Sequence, residues 1–150
     1  MPQSFSRILV HLICSTKNRI PFLVPEIRPE LHQYLAIGLN DIGCPSLRVG
    51  GVEDHVHLFF GLSRTRSMAK VVELVKTGSS KWLKTKGDGL GSFHWQTGYG
   101  AFSVSQSDAD AVIRYIDKQE EHHRQTSFQD EFRRFLERYQ IPYDERYVWE

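Results

Sequence analysis

Two histidines spaced by one residue, in Asp54-His55-Val56-His57-Leu58-Phe59-Phe60, are the first groups in the sequence whose types and spacing could do chemistry. In an extended strand, alternate side chains point the same way and their Cα atoms stand about 6.5–7 Å apart. Val56, Leu58 and Phe60 then share one face, expected to be the core, and His55 and His57 share the other. Two imidazoles so placed can converge on one cation. They can equally stand half-exposed on a solvated face. The pair supplies only two ligands, so a metal reading needs a third from elsewhere.

A second group lies sixty residues on, in Tyr115-Ile116-Asp117-Lys118-Gln119-Glu120-Glu121-His122-His123. Positions 115, 119 and 122 fall on one helical face, with Ala109, Ile113 and Ile116 beside them as a packing side. Tyr115 offers a hydroxyl nucleophile and Gln119 a neutral oxygen ligand one turn away. The alternative is a tyrosine at the core boundary with a wet hydroxyl. His122 and His123 could be a second metal site, phosphate contacts, or cations favoured by the helix C-terminal dipole, the last being expected for at least one of them. Lys70, Lys81 and Lys84 gather on one side of a preceding helix and, with Arg64 and Arg66, could track a DNA backbone. A solvated helix face is the other reading of the lysines. Phe93, Trp95, Tyr99 and Phe102 could stack on unpaired bases, although at least half of them are expected in the core.

These side chains need elements to position them. Ile8 to Cys14 is an apolar run broken only by His11, which suits a strand buried on both faces. Pro25 to Ile42 has helical spacing and stops at Gly43. Leu47 to Val52 and Asp54 to Leu62 read as an antiparallel pair turning at Val52-Glu53. Ser67 to Lys86 is a helix, and Tyr99 to Val104 a strand. Ser107 with Asp110 resembles a capping box opening a helix from Asp108 to about Gln125. Ser127 with Asp130 repeats it for a helix from Phe128 to about Tyr139, with Pro142 beyond. The order β-α-β-β-α-β followed by helices predicts an α+β fold. Its antiparallel sheet would carry helices on one face, in the ferredoxin-like manner.

The whole chain sets bounds. Its 150 residues suit one domain over 1–150, and 40% apolar with 25% charged residues excludes a disordered or fibrous chain. The net charge of +1 gives no global sign for nucleic acid or membrane. It conceals seven basic residues against two acidic between Arg64 and Asp88, and eight acidic against five basic between Ser107 and Glu137. Two cysteines, Cys14 and Cys44, are too few for a disulfide framework and read as reduced, buried residues of a cytoplasmic protein. The first residues lack a clean signal-peptide core, and no apolar run approaches the roughly 18 residues of a membrane span. The Lys86–Ser92 stretch, KGDGLGS, lacks the spacing and the Lys-Ser/Thr ending of a phosphate loop and reads as a flexible connection.

Taken together, DHVHLFF, WQTGYGAFSVS and YIDKQEEHH followed by FQDEF resemble the IS200/IS605-like single-tyrosine transposases, a branch of the HUH endonucleases. The likeness runs over nearly the whole chain. It implies that His55, His57 and Gln119 hold one divalent ion, Mg²⁺ or Mn²⁺, and that Tyr115 is the nucleophile. It implies a homodimer in which the tyrosine helix of one subunit completes the histidine pair of the other. It also implies single-stranded DNA with imperfect hairpins as substrate, and cleavage through a 5′-phosphotyrosine with a free 3′-OH. The Asp117-Lys118 pair departs from the Arg-Asn common in relatives, which weakens inference about DNA contacts there. An amide ligand adds no negative charge, so a site built on Gln119 would keep the cation strongly electrophilic, and imidazoles favour transition metals over Mg²⁺. The other readings are a domesticated relative that binds hairpin DNA without mobilising it, and a metal phosphoesterase in which Tyr115 is incidental.

Overall fold

Seven consecutive buried residues, Leu9–Ser15, form the first strand, β1, with β2 at Ser46–Gly51, β3 at His55–Gly61 and β4 at Gly100–Val104. A computed structural model describes residues 2–150. The strands make one sheet in the order β2-β3-β1-β4, every neighbouring pair antiparallel. The helices are α1 (Arg28–Asp41), α2 (Met68–Lys84), α3 (Ala109–Asp117), α4 (Gln119–His122) and α5 (Phe128–Arg138). The ferredoxin-like order and the antiparallel sheet agree with the expectation from sequence.

β1 is buried throughout because helices cover both faces of the sheet, not one face as expected. Val10, Leu12 and Cys14 join Val56, Leu58 and Phe60 in a core with α1 and α2, through Leu31, Leu35, Val71, Val72 and Leu83. The opposite face carries Leu9, Ile13, Phe59 and Phe102, and is closed by Ala109 and Ile116 of α3 and Phe128, Phe132 and Leu136 of α5. This second layer covers the two histidines, so both have 0% exposure rather than the half-exposure of a solvated face. Two glycines let it approach. A Cβ at Gly50 would come within 2.7 Å of Ile116, and one at Gly100 within 2.6 Å of Phe132.

The local signals were met unevenly. Ser67 Oγ accepts a hydrogen bond from Lys70 N at 3.1 Å and Ser127 Oγ from Asp130 N at 3.1 Å, each capping a helix start. Such a cap contributes about 1 kcal/mol. Ser107 does not cap. Residues Gln106–Asp108 instead form a 3-10 turn ahead of α3, with Ser105 Oγ donating to Asp108 Oδ2. The helix expected as one piece from 108 to 125 is broken at Lys118. Lys118 N still donates to Arg114 O and Tyr115 O, so the break is one loosened turn rather than a loop.

Candidate functional site

β3 projects His55 and His57 from the same side, and the register sets Ile13 of β1 opposite His57 and Ser15 opposite His55. α3, α4 and α5 then bring five further polar groups onto that face: Tyr115, Gln119, His122, His123 and Glu131. At their centre is Glu131, 2% exposed, a residue not anticipated from the sequence. Its Oε1 lies 3.3 Å from His55 Nε2, 3.2 Å from His57 Nε2 and 3.2 Å from His123 Nε2. Its Oε2 accepts hydrogen bonds from the Tyr115 hydroxyl and, at 2.9 Å, from Gln119 Nε2. Gln119 Oε1 faces His55 Nε2 at 3.0 Å.

Each of three imidazoles turns Nε2 inward because its Nδ1 is held from behind. Asp54 Oδ1 lies 2.7 Å from Nδ1 of His55, His11 Nε2 lies 2.7 Å from Nδ1 of His57, and Thr126 O lies 2.6 Å from Nδ1 of His123. Such outer partners fix the ring orientation and tautomer of metal-binding histidines. His123 Nε2 is buried and has no aligned hydrogen bond of its own. Ligand atoms of His55, His57, His123 and Glu131 all lie within 4.8 Å of one another. This donor set fits a divalent cation, with Gln119 Oε1 beside it. Mixed imidazole and carboxylate donors suit Mn²⁺ and its transition-metal neighbours better than Mg²⁺. Glu131 also revises the charge of the site: a buried carboxylate at its centre offsets one positive charge, which Gln119 alone would not.

Electrostatics follow from the packing. Burial alone would lower the His55 pKa, but hydrogen bonds to Asp54 and Glu131 outweigh it and raise the imidazole to about 9. Burial holds His57 below its ordinary value despite Glu131. Burial would raise Glu131, but hydrogen bonds from His123, His55 and His57 pull it far below the carboxylate range. Tyr115 is pushed up by burial and by the Glu131 charge, so its proton rests on the phenol at neutral pH.

The expected site residues divide by location. His55, His57, Tyr115 and Gln119 converge within one chain; the tyrosine meets the carboxylate that its own chain's histidines touch. Asp117 and Lys118 are exposed, and Asp117 pairs with Arg48 of β2 at 3.3 Å. Lys70, Lys81 and Lys84 are exposed on α2, across the sheet from Tyr115, and Lys70 pairs with Glu73 at 3.4 Å. Arg64 and Arg66 are exposed in the segment after β3, where Arg66 Nε donates to Ile42 O at 2.9 Å. None of these five reaches the tyrosine cluster. Of the four candidate stacking aromatics, Phe93 and Phe102 are core, Trp95 packs inward with Nε1 donating to Ser79 Oγ, and Tyr99 is 42% exposed.

A signal for Glu131 was present in the sequence. Phe128, Glu131, Phe132 and Phe135 recur at i, i+3, i+4 and i+7, which places a carboxylate on the apolar stripe of α5. His11 gave a similar signal as the polar residue inside the β1 run.

A family model described as "Transposase IS200 like" matches residues 4–119. The matched stretch holds His55, His57, Tyr115 and Gln119, and ends before His123 and Glu131. Among solved structures, a presumptive transposase of Deinococcus radiodurans R1 is similar at 24% identity over 79% of this chain and 98% of that one, with a TM-score of 0.62. A REP-associated tyrosine transposase bound to a REP hairpin is similar at 13% identity over 82% of this chain and 73% of that one, with a TM-score of 0.60. At these identities the likeness is one of fold, an antiparallel sheet with helices packed on it. No curated protein matches the chain.

Proposed function

The chain belongs to the IS200-like transposase family, and from that premise we propose that it cleaves and rejoins single-stranded DNA through Tyr115. The observation that carries this reading is the single carboxylate, Glu131, that touches both the tyrosine hydroxyl and the inward nitrogens of His55, His57 and His123. It joins a nucleophile to a cation-binding cluster.

His55, His57, His123 and Glu131, with Gln119 beside them, would hold one divalent cation, Mn²⁺ or Mg²⁺. When bound, it supplies charge neutralisation at the phosphodiester and Lewis-acid stabilisation of the departing oxygen. The chain's own residues do the rest. Glu131 Oε2 holds the Tyr115 hydroxyl in one orientation. Tyr115 Oη attacks phosphorus, a P–O bond to tyrosine forms and the P–O3′ bond breaks. The phenol's proton passes to Glu131 as the new bond forms, because the oxygen bound to phosphorus loses its basicity. Before attack that transfer is uphill, since Glu131 is held ionised by three imidazoles. The 3′ oxygen leaves as a hydroxyl protonated from solvent. The 5′-phosphotyrosine retains the bond energy, so another 3′-OH can reverse the step and join new strands.

The hairpin in the REP-associated neighbour supports hairpin-bearing single-stranded DNA as the substrate. Arg64, Arg66, Lys70, Lys81 and Lys84 are then proposed contacts for DNA held away from the tyrosine. Because Tyr115 reaches its own chain's cluster, the site reads as complete in cis, and any homodimer would serve DNA pairing rather than site assembly. Among the described residues, no helix is long and apolar enough to cross a membrane.

The test is DNA labelled at its 3′ end and incubated with the protein and Mn²⁺ or Mg²⁺. The downstream strand should remain on the protein after denaturation, and Tyr115→Phe should abolish the adduct while DNA binding persists. An undiminished adduct in that variant would overturn the assignment. Turnover of small phosphodiesters without any adduct would favour a metal phosphoesterase.

A further inference from the structure

Tyr115 has open space on two sides. One cavity of about 230 Å³ is lined by Tyr115, His122, Glu131, Arg134, Phe135 and Arg138. Another of about 390 Å³ lies on the sheet side, where His11 and Val112 line it together with Tyr115, Phe135 and Arg138. α5 separates its cations in a telling way. Arg133 is committed, donating to Glu145 at 2.7 Å and Asp130 at 3.0 Å. Arg134 and Arg138 are exposed, and among the described residues neither has a carboxylate within 4 Å (the salt-bridge distance). They stand one turn apart, on the face that carries Glu131 at i−3 and i−7.

The acids of the neighbourhood are already engaged. Glu131 is held by the tyrosine, the glutamine and the imidazoles. Asp108, on the sheet-side cavity, accepts a hydrogen bond from Ser105 at 3.0 Å. Two unpaired guanidiniums therefore flank a nucleophile whose target must be a phosphodiester. Guanidinium matches phosphate geometry bidentately and keeps its charge at any working pH.

We propose that Arg134 and Arg138 form the anion subsite that holds the single-stranded DNA backbone beside Tyr115, gripping the phosphates next to the one attacked. This deepens the function proposed above and rests on it for the nature of the ligand. It gives the acidic final third of the chain a local basic edge at the nucleophile. It also leaves the lysines of α2, on the far side of the sheet, free for DNA remote from the cleavage point.

The test uses the full chain carrying Tyr115→Phe, so that binding is read without chemistry, and a fluorescein-labelled oligothymidylate as probe. Anisotropy is measured over a range of salt concentrations. Each phosphate of single-stranded DNA that the protein no longer neutralises lowers the slope of log K against log salt by about 0.7, so R134Q/R138Q should lower it by about 1.4. Affinity should fall by roughly tenfold or more at low salt, and R134K/R138K should restore most of the slope by restoring charge. Matched melting temperatures would show that the fold is intact. An unchanged slope and affinity in R134Q/R138Q would overturn the subsite. A wild-type chain that binds through these arginines yet forms no adduct would leave the subsite standing and remove the proposed chemistry instead.

Discussion

At the scale of single residues, the site is a set of donors each fixed by a neighbour. His11 is the least obvious of these. It is 2% exposed, contributes no ligand, and holds Nδ1 of His57 so that Nε2 faces the cluster. Replacing it with alanine should weaken Mn²⁺ binding by roughly 10- to 100-fold, as for other outer partners of metal-bound histidines. Isothermal titration of the metal alone checks this, and unchanged affinity would remove His11 from the site. His55 gives a pH dependence. Its folded pKa is raised to about 9 from 6.5. The folded state therefore binds its proton more tightly, and the resulting stability is complete below about 6.5 and lost as pH rises through about 9. With a chelator present, the melting temperature should fall between pH 6.5 and 9.5. A flat profile over that window would mean that the Asp54 and Glu131 contacts do not hold His55 as described.

At the scale of elements, what was legible in the sequence was whatever a single element encodes. Strand alternation put His55 and His57 on one side, and helical spacing set Tyr115 near Gln119. The serine signal at Ser127 marked a helix start correctly, and the helix expected from Ser67 opens at a serine that the structure shows to be its cap. Contacts between elements were not legible. Glu131 joins the cluster only because α5 packs over β3, and His123 because the end of α4 brings its ring within 4.5 Å of that of His55; no spacing within the Tyr115 segment announces a carboxylate arriving from another helix. The helix break at Lys118 was missed for a related reason, since helical periodicity continues across it. The packing itself can be tested through Gly50, where α3 comes closest to the sheet. Gly50→Val would push against Ile116 and should cost about 1–3 kcal/mol of stability. It should also reduce adduct formation by displacing Tyr115. Chemical denaturation and the adduct assay together check this, and normal values in both would show that α3 does not depend on that approach.

At the scale of the whole molecule, the sheet works as a partition. One face carries α1 and α2 over an apolar core, with cations on the outer surface of α2. The other carries α3, α4 and α5 over the polar cluster and Tyr115. A near-neutral total charge of +1 conceals this division of labour. The partition also bears on assembly. Resemblance to the family pointed to a site completed by a partner chain, whereas here Tyr115 meets its own chain's carboxylate. Mixing Tyr115→Phe chains with His57→Ala chains separates the two arrangements. With sites complete in cis neither chain has a working site, and the mixture should form no adduct. Recovered activity would mean that tyrosine helices are exchanged between subunits.

The central claim is that Tyr115 is the residue that becomes joined to DNA. Peptide mapping by mass spectrometry, after reaction of the wild-type chain with hairpin-bearing single-stranded DNA and Mn²⁺ followed by nuclease trimming, tests it most directly. The expected result is a residual 5′-linked nucleotide on the peptide that contains Tyr115, and none when a chelator is present. A nucleotide on any other residue, or an unmodified Tyr115 peptide alongside cleaved DNA, would contradict it.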